Sequence, residues 1–172
     1  MSIPNFSVAT ETDIPALEQL VNSAYRGEHS KKGWTTEADL LGGIRTDANG
    51  LKNMMSEPAA VILTYTGEQG LLQGCVFLKQ KANKLYLGML TVDPELQAQG
   101  IGKKLLSAAE EYARQKNCDG ITMTVISVRH KLIAWYERHG YRKTGATEPF
   151  PADPSFGLPK QELEFVVMEK SL

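Results

Sequence analysis

The sequence predicts a mixed α/β domain built from about seven strands and about four helices. Three observations predict it. Short apolar runs of strand length alternate with segments whose apolar residues recur at helical spacing. Three of those runs, between residues 59 and 92, follow one another across short polar turns. No linker, repeat or low-complexity stretch divides the 172 residues, and a chain that is 42% hydrophobic and 23% charged has apolar material for one ordinary core. A single domain over residues 1–172 follows.

Taken in order, "FSVA" (Phe6 to Ala9) reads as a first strand. "TDIPALEQLVNSAY" places Ile14, Leu17, Leu20, Val21 and Ala24 on one helical face, with Thr12 or Asp13 as cap and Pro15 tolerated in the first turn. "WTTEADLLGGI" predicts a second helix: Thr35 or Thr36 caps it, Glu37 suits its positive end, and Leu40, Leu41 and Ile44 form its apolar face. Gly42 and Gly43 weaken it. "AAVILTYT", "LLQGCVFLKQ" and "KLYLGMLTV", joined by "GEQG" and "KAN", read as an antiparallel meander. A third helix carries Leu105, Leu106, Ala109, Tyr112 and Ala113, "GITMTVISV" alternates as a strand, and "RHKLIAWYERHG" is a short helix stopped by Gly140. "YRKTG" and "ELEFVVMEK" supply two last strands around the Pro-rich loop "ATEPFPADPSFGLPK".

Composition excludes several classes of function. The net charge of −1, with basic residues spread along the chain, lacks the footprint of a nucleic-acid binder. No apolar run approaches the roughly 20 residues of a membrane span, and "MSIPNFSVATETD" has no basic-then-apolar leader, so a soluble, cytoplasmic protein is expected. Cys75 and Cys118 read as reduced, buried thiols, and His29, His130 and His139 show no metal-ligand spacing, so no metal is expected.

The motif that carries chemistry is "QAQGIG", Gln97 to Gly102, between a strand and a helix. Glycines there serve a tight turn, or they bare the N–H groups of a helix start for a phosphate. It is neither a dinucleotide fingerprint nor a P-loop: Gly100-Ile101-Gly102-Lys103-Lys104 runs on into Leu105. The pattern Gln-x-x-Gly-x-Gly, within "LTVDPELQAQGIGKKLL" and followed later by "IAWYERHGYRKTG", resembles the GNAT superfamily of acyl-CoA-dependent N-acyltransferases. The order of elements along nearly the whole chain is similar as well.

The resemblance implies a mostly antiparallel central sheet flanked by helices, with acetyl-CoA as cosubstrate. Backbone donors of Gln97, Ala98, Gln99, Gly100, Ile101 and Gly102 are expected around its pyrophosphate. Lys103 and Lys104 either add charge there or lie on a solvated helix face. The backbone of Leu90 and Val92 is expected to pair with the pantetheine arm, beside a bulge that Gly88 permits. Tyr136 is the expected catalytic residue, a phenol near its ordinary pKa of about 10 that protonates the leaving thiolate; otherwise it is a core aromatic beside Trp135. Seven residues earlier, where many relatives carry Asn, this chain has Arg129, which is expected to reach a phosphate instead.

The implied reaction moves an acetyl or short acyl group to a primary amine of a small molecule or short peptide, by direct attack in a ternary complex. The competing class is a non-catalytic acyl-CoA-binding module on the same scaffold. Trp34 and Glu37 are the expected acceptor contacts, Trp34 being otherwise a surface aromatic or core plug. Phe150 and Phe156 flank the same groove. Glu37, His29, Glu28, Glu162 and Glu164 are the candidate bases. The partners are thus acetyl-CoA and an amine, with no nucleic acid and no membrane, in a monomer or homodimer.

Overall fold

The computed structural model describes residues 5–25, 41–42, 45–67, 69–97, 99–150, 158–160 and 162–172. Among these, strands β1 (Phe6–Val8), β2 (Leu41–Gly42), β3 (Ala60–Thr66), β4 (Leu72–Lys81), β5 (Lys84–Val92), β6 (Gly120–Ile126), β7 (Arg142–Pro149), β8 (Leu158–Pro159) and β9 (Glu164–Ser171) accompany helices α1 (Ile14–Tyr25), α2 (Ala48–Ser56), α3 (Ile101–Gln115) and α4 (His130–Arg138). Seven strands form one sheet in the order β1-β3-β4-β5-β6-β9-β7, and β2 pairs with β8 separately. Within the large sheet only the β5–β6 pair is parallel. The mixed, mostly antiparallel sheet expected from the sequence is therefore present.

Strand alternation sends successive side chains to opposite faces, and both faces are covered. Leu63, Val76, Leu78, Leu85 and Leu87 pack with Leu105, Leu106 and Ala109 of α3 and Ile133 of α4. On the other face Ile62, Cys75 and Phe77 meet Leu17, Leu20 and Val21 of α1 and Leu51 of α2. This explains why β3 reads as a continuous apolar run.

Several expectations meet differences in the structure. A short 3-10 turn, Glu11–Asp13, capped by Thr10, precedes α1, so Thr12 and Asp13 lie within that turn, and Asp13 reaches back to accept from Thr10 N–H at 2.8 Å. The helix expected in "WTTEADLLGGI" lies mostly outside the described residues, and its Leu41 and Gly42 are strand, opposite Pro159 and Leu158. The second helix that is described, α2, starts later, where Asp47 accepts from Gly50 N–H at 2.7 Å and Leu51 is buried. Finally, β7 continues through Pro149, into a stretch expected as loop, and β6 stops at Ile126 instead of Val128.

The sheet opens where function is expected. β5 pairs with β6 only from Lys84–Gly120 to Tyr86–Thr122. Beyond that, β5 carries a bulge: its register against β4 shifts between Cys75 and Phe77, and Met89 adopts a left-handed φ of 52°. Gly88 was the expected position, but the unusual conformation falls one residue later on a side chain that is itself buried. Such a conformation costs a non-glycine residue about 1–3 kcal/mol.

Candidate active site

After the bulge, Cys75 pairs with Thr91 and Asp93 N–H donates to Gln73 O at 2.9 Å. Strand alternation then turns the backbone groups of Leu90 and Val92 away from β4, toward the opening. Two side chains already occupy the carbonyls there. Tyr25 Oη donates to Leu90 O at 2.5 Å, and Gln97 Nε2 donates to Val92 O at 3.2 Å.

The glycine motif forms the mouth of the opening. Gly100 caps α3 with a left-handed φ of 83°, and the first intrahelical bond is Lys104 N–H to Gly100 O at 3.1 Å. The N–H groups earlier in the first turn have no intrahelical acceptor and point out along the helix axis. Gly102 serves a different purpose: a Cβ there would stand 3.2 Å from the Trp135 ring, so its absence lets α4 pack against α3. Leu132, Trp135 and Arg138 recur every three residues along α4 and complete a cleft of about 300 Å³ with Leu90, Val92 and the motif.

Of the expected coenzyme contacts, Gln97, Gly100, Ile101, Gly102 and Lys103 line this cleft with Leu90 and Val92. Ile101 is nevertheless largely buried in the core, and Gln99 is exposed. Ala98 lies outside the described residues. Lys104 turns the other way, its ammonium 3.4 Å from Tyr65 Oη and over that ring. The lysine pair is thus split, because adjacent helical positions are about 100° apart. Arg138 takes the second cationic place in the cleft, a role sequence reading missed.

Arg129 does not line this cleft. It stands deeper, in a cavity of about 50 Å³ beside Tyr25 and Tyr136, and in a larger one of about 430 Å³ that Tyr86, Phe150 and Phe165 help to wall. Leu90 and Leu132 line all three spaces, so the cleft of the glycine motif and the two others lie against the same pair of side chains. Tyr136 lines both of the spaces that Arg129 lines, 5% exposed, its ring edge-on to Trp135 and to Tyr141.

Burial pushes the Tyr136 phenol well above its ordinary value, with Tyr25 adding to the rise and the Arg129 charge opposing it. This corrects the expected near-ordinary phenol: with little solvation for a phenolate, Tyr136 stays protonated and is a hydrogen-bond donor first. Burial likewise raises Tyr141, helped by the Glu110 carboxylate, and pushes the Cys75 thiol up to about 12. All three bind their protons more tightly folded than unfolded, so unfolding is favoured as pH rises past their unfolded values, about 8.5 for Cys and about 10 for Tyr. Urea unfolding at stepped pH is expected to show stability falling from about pH 8.5 upward, more steeply beyond about pH 10. A flat profile to pH 11 contradicts this placement of the three groups.

Trp34, Glu37, His29, Glu28 and Phe156 lie outside the described residues. Glu162 and Glu164 are exposed and do not line the larger cavity; the carboxylates that do are Glu148 and Glu57. Tyr25, Arg45 and Glu148 were not singled out in the sequence, where nothing local marks them. Among the described residues no cluster of His, Cys, Asp or Glu is arranged to hold a metal, and no helix is long and apolar enough to cross a membrane.

A sheet parting at a bulge, with a glycine-capped helix at the mouth, is the framework of this site. Residues 14–141 match the Acetyltransferase (GNAT) family, and the chain belongs to that family. Among proteins of similar sequence, acetyltransferase Atu2258 of Agrobacterium fabrum is 35% identical over 71 residues, covering 41% of this chain and 50% of that protein. Human N-acetyltransferase 8B is 27% identical over 125 residues, covering 67% of this chain and 53% of its own. The chain thus spans about half the length of these relatives. The fold is shared with the PaiA N-acetyltransferase of Thermoplasma acidophilum, solved in complex with coenzyme A: TM-score 0.72, 22% identity, and 100% of both chains covered.

Proposed function

We propose that this protein is an N-acetyltransferase that takes an acetyl or short acyl group from acetyl-CoA to a primary amine of a small molecule or short peptide, by direct attack in a ternary complex. The observation that supports this reading is the adjacency, across Leu90 and Leu132, of the cleft at the glycine motif and a second cavity lined by Tyr136. A one-sided binding module needs only the cleft.

The residues fit the cosubstrate. The glycine motif offers backbone donors at the positive end of α3, Lys103 and Arg138 add charge, and Val92 and Leu90 offer strand-edge N–H groups. Acetyl-CoA, when bound, supplies a thioester whose C–S bond breaks as the C–N bond forms, the amine giving up one proton and the sulfur gaining one. On this reading the Leu90 N–H polarises an acyl oxygen, while Tyr25 bonds the Leu90 carbonyl. Tyr136 donates to the departing sulfur. Glu148 is the carboxylate through which the amine's proton reaches solvent, because it both lines the cavity and is exposed. Buried Cys75, held as a thiol inside β4, lines none of the three spaces, which favours direct transfer over an acyl-cysteine.

The test is a screen of primary amines with acetyl-CoA, reading free thiol and acetylated product together. Product formation with at least one small amine or short peptide is expected. Tight acetyl-CoA binding with no product from any amine would leave the binding-module reading instead.

A further inference from the structure

Strand register shows which side chains face the larger cavity, of about 430 Å³, together. Phe77 on β4 stands opposite Gly88 on β5, Tyr86 on β5 opposite Thr122 on β6, and Phe165 on β9 opposite Ile126 of β6 and Glu148 of β7. Residues two apart on a strand, or directly opposed across strands, point the same way. Phe77, Tyr86, Thr124, Phe165 and Glu148 therefore share one face of the sheet, the face that carries α1 and α2, whereas α3 packs on the other.

Two aromatic pairs bound this space on either side of β6. Phe77 and Tyr86 meet edge to face with centroids 6.3 Å apart, and Phe150 and Phe165 stack at 5.3 Å with ring planes 28° apart. Tyr86, Phe150 and Phe165 are half-buried, and buried Phe77 backs the first of them. Gly88 lets the Tyr86 ring lie along β5: a Cβ there would stand 3.0 Å from a ring carbon and 3.2 Å from the hydroxyl. Unlike Gly100, Gly88 has no left-handed φ, so what it supplies is space alone. The Lys81 ammonium lies 5.1 Å from the Tyr86 ring centroid and gives the ring a further contact. Charge does not choose the occupant, because the described lining sets Glu57 and Glu148 against Arg45 and Arg129. The ring surfaces are what can discriminate, since aromatic groups attract one another through face and edge in a way a saturated ring of similar size does not.

We propose that the acceptor is a primary amine on an aryl-alkyl frame, its ring set between the Phe77–Tyr86 and Phe150–Phe165 pairs and its amine toward Leu90 and Tyr136, with Gly88 and Tyr86 the specificity-determining residues. The proposal rests on the transferase reading and names the substrate class of that site. It keeps the aromatic wall expected for the acceptor and builds it from residues of the sheet. Gly88, expected to permit a bulge, instead sets the position of one wall.

Phenethylamine and 2-cyclohexylethylamine test it, because they share an amine and a chain length and differ in whether the ring is flat and aromatic. In the acetyl-CoA assay phenethylamine is expected to exceed 2-cyclohexylethylamine in kcat/KM by about tenfold, the scale that two ring contacts supply. Calorimetry on protein loaded with CoA, where no transfer occurs, is expected to show the same order of affinity. Gly88→Ala, which pushes the Tyr86 ring aside, is expected to raise the phenethylamine KM by about tenfold and to leave the acetyl-CoA KM unchanged. Tyr86→Leu keeps an apolar wall and removes the ring, so it should erase most of the preference, and it decides if Gly88→Ala fails to fold. Equal kcat/KM for the two amines, or a preference that survives Tyr86→Leu in folded protein, overturns the proposal. A screen in which an amine without an aromatic ring is the best acceptor overturns it too, and leaves the transferase reading standing. If no amine releases thiol, the transferase reading falls and the acceptor assignment goes with it.

Discussion

Tyr136→Phe is expected to lower turnover by about 100-fold while leaving acetyl-CoA affinity nearly unchanged. The ring packs edge-on between Trp135 and Tyr141, with centroids at 5.2 and 5.8 Å, and phenylalanine preserves those contacts. Only the hydroxyl is lost. Because burial keeps that hydroxyl protonated, its contribution is a hydrogen bond that strengthens as charge gathers on sulfur, an interaction of the transition state. The loss should therefore fall on kcat more than on KM. Steady-state kinetics with both substrates varied, alongside calorimetric acetyl-CoA binding, makes the check. An unchanged kcat would reduce Tyr136 to a core aromatic.

Replacing Gly100 with Glu is expected to raise the acetyl-CoA dissociation constant at least tenfold, about 1.4 kcal/mol, without unfolding the protein. No atom lies within 4 Å of where a Cβ at Gly100 would stand, so the side chain has room. The cost has two other sources. A left-handed φ of 83° penalises any L-residue by roughly 1–2 kcal/mol, and the carboxylate faces donors that suit an anion of their own. Gly100→Ala separates the two, since it keeps the backbone penalty and omits the charge. Calorimetry on variants with native circular dichroism decides; wild-type affinity in folded Gly100→Glu would remove the glycine motif from the binding site.

The meander and the strand-turn-helix around Gly100 were legible because their signals are local: period-two apolar runs, polar turns, and a glycine pair at a helix start. α2 was missed because Asn49 and Gly50, poor helix formers, hide the pattern of Leu51, Met54 and Met55, and because Asp47 was not read as a cap. The sequence points to Gly88, one residue early, because Gly88 carries the permissive backbone while the left-handed turn falls on buried Met89. The interior of the site is the hardest case. Tyr25, Arg45 and Arg129 converge from the end of α1, the approach to α2 and the start of α4, and no short window of sequence contains two of them. Such a cluster exists only once the sheet has brought its helices together. In the sequence Arg129 stands out only as a departure from a family pattern, and its burial beside Tyr136 exists only in the fold.

The parting of β5 from β6 also bears on self-association. A strand edge with free donors and acceptors ordinarily invites another polypeptide to pair with it, the first step of many aggregates. In this protein the unpaired stretch past Tyr86 is turned inward across from β6, and the carbonyls of Leu90 and Val92 are already engaged by Tyr25 and Gln97. A competing strand lying about 4.8 Å away needs alternating N–H and C=O partners along its length. What it meets are donors whose matching acceptors are spoken for. The edge is therefore a poor template for a neighbouring chain although it is not closed by β6.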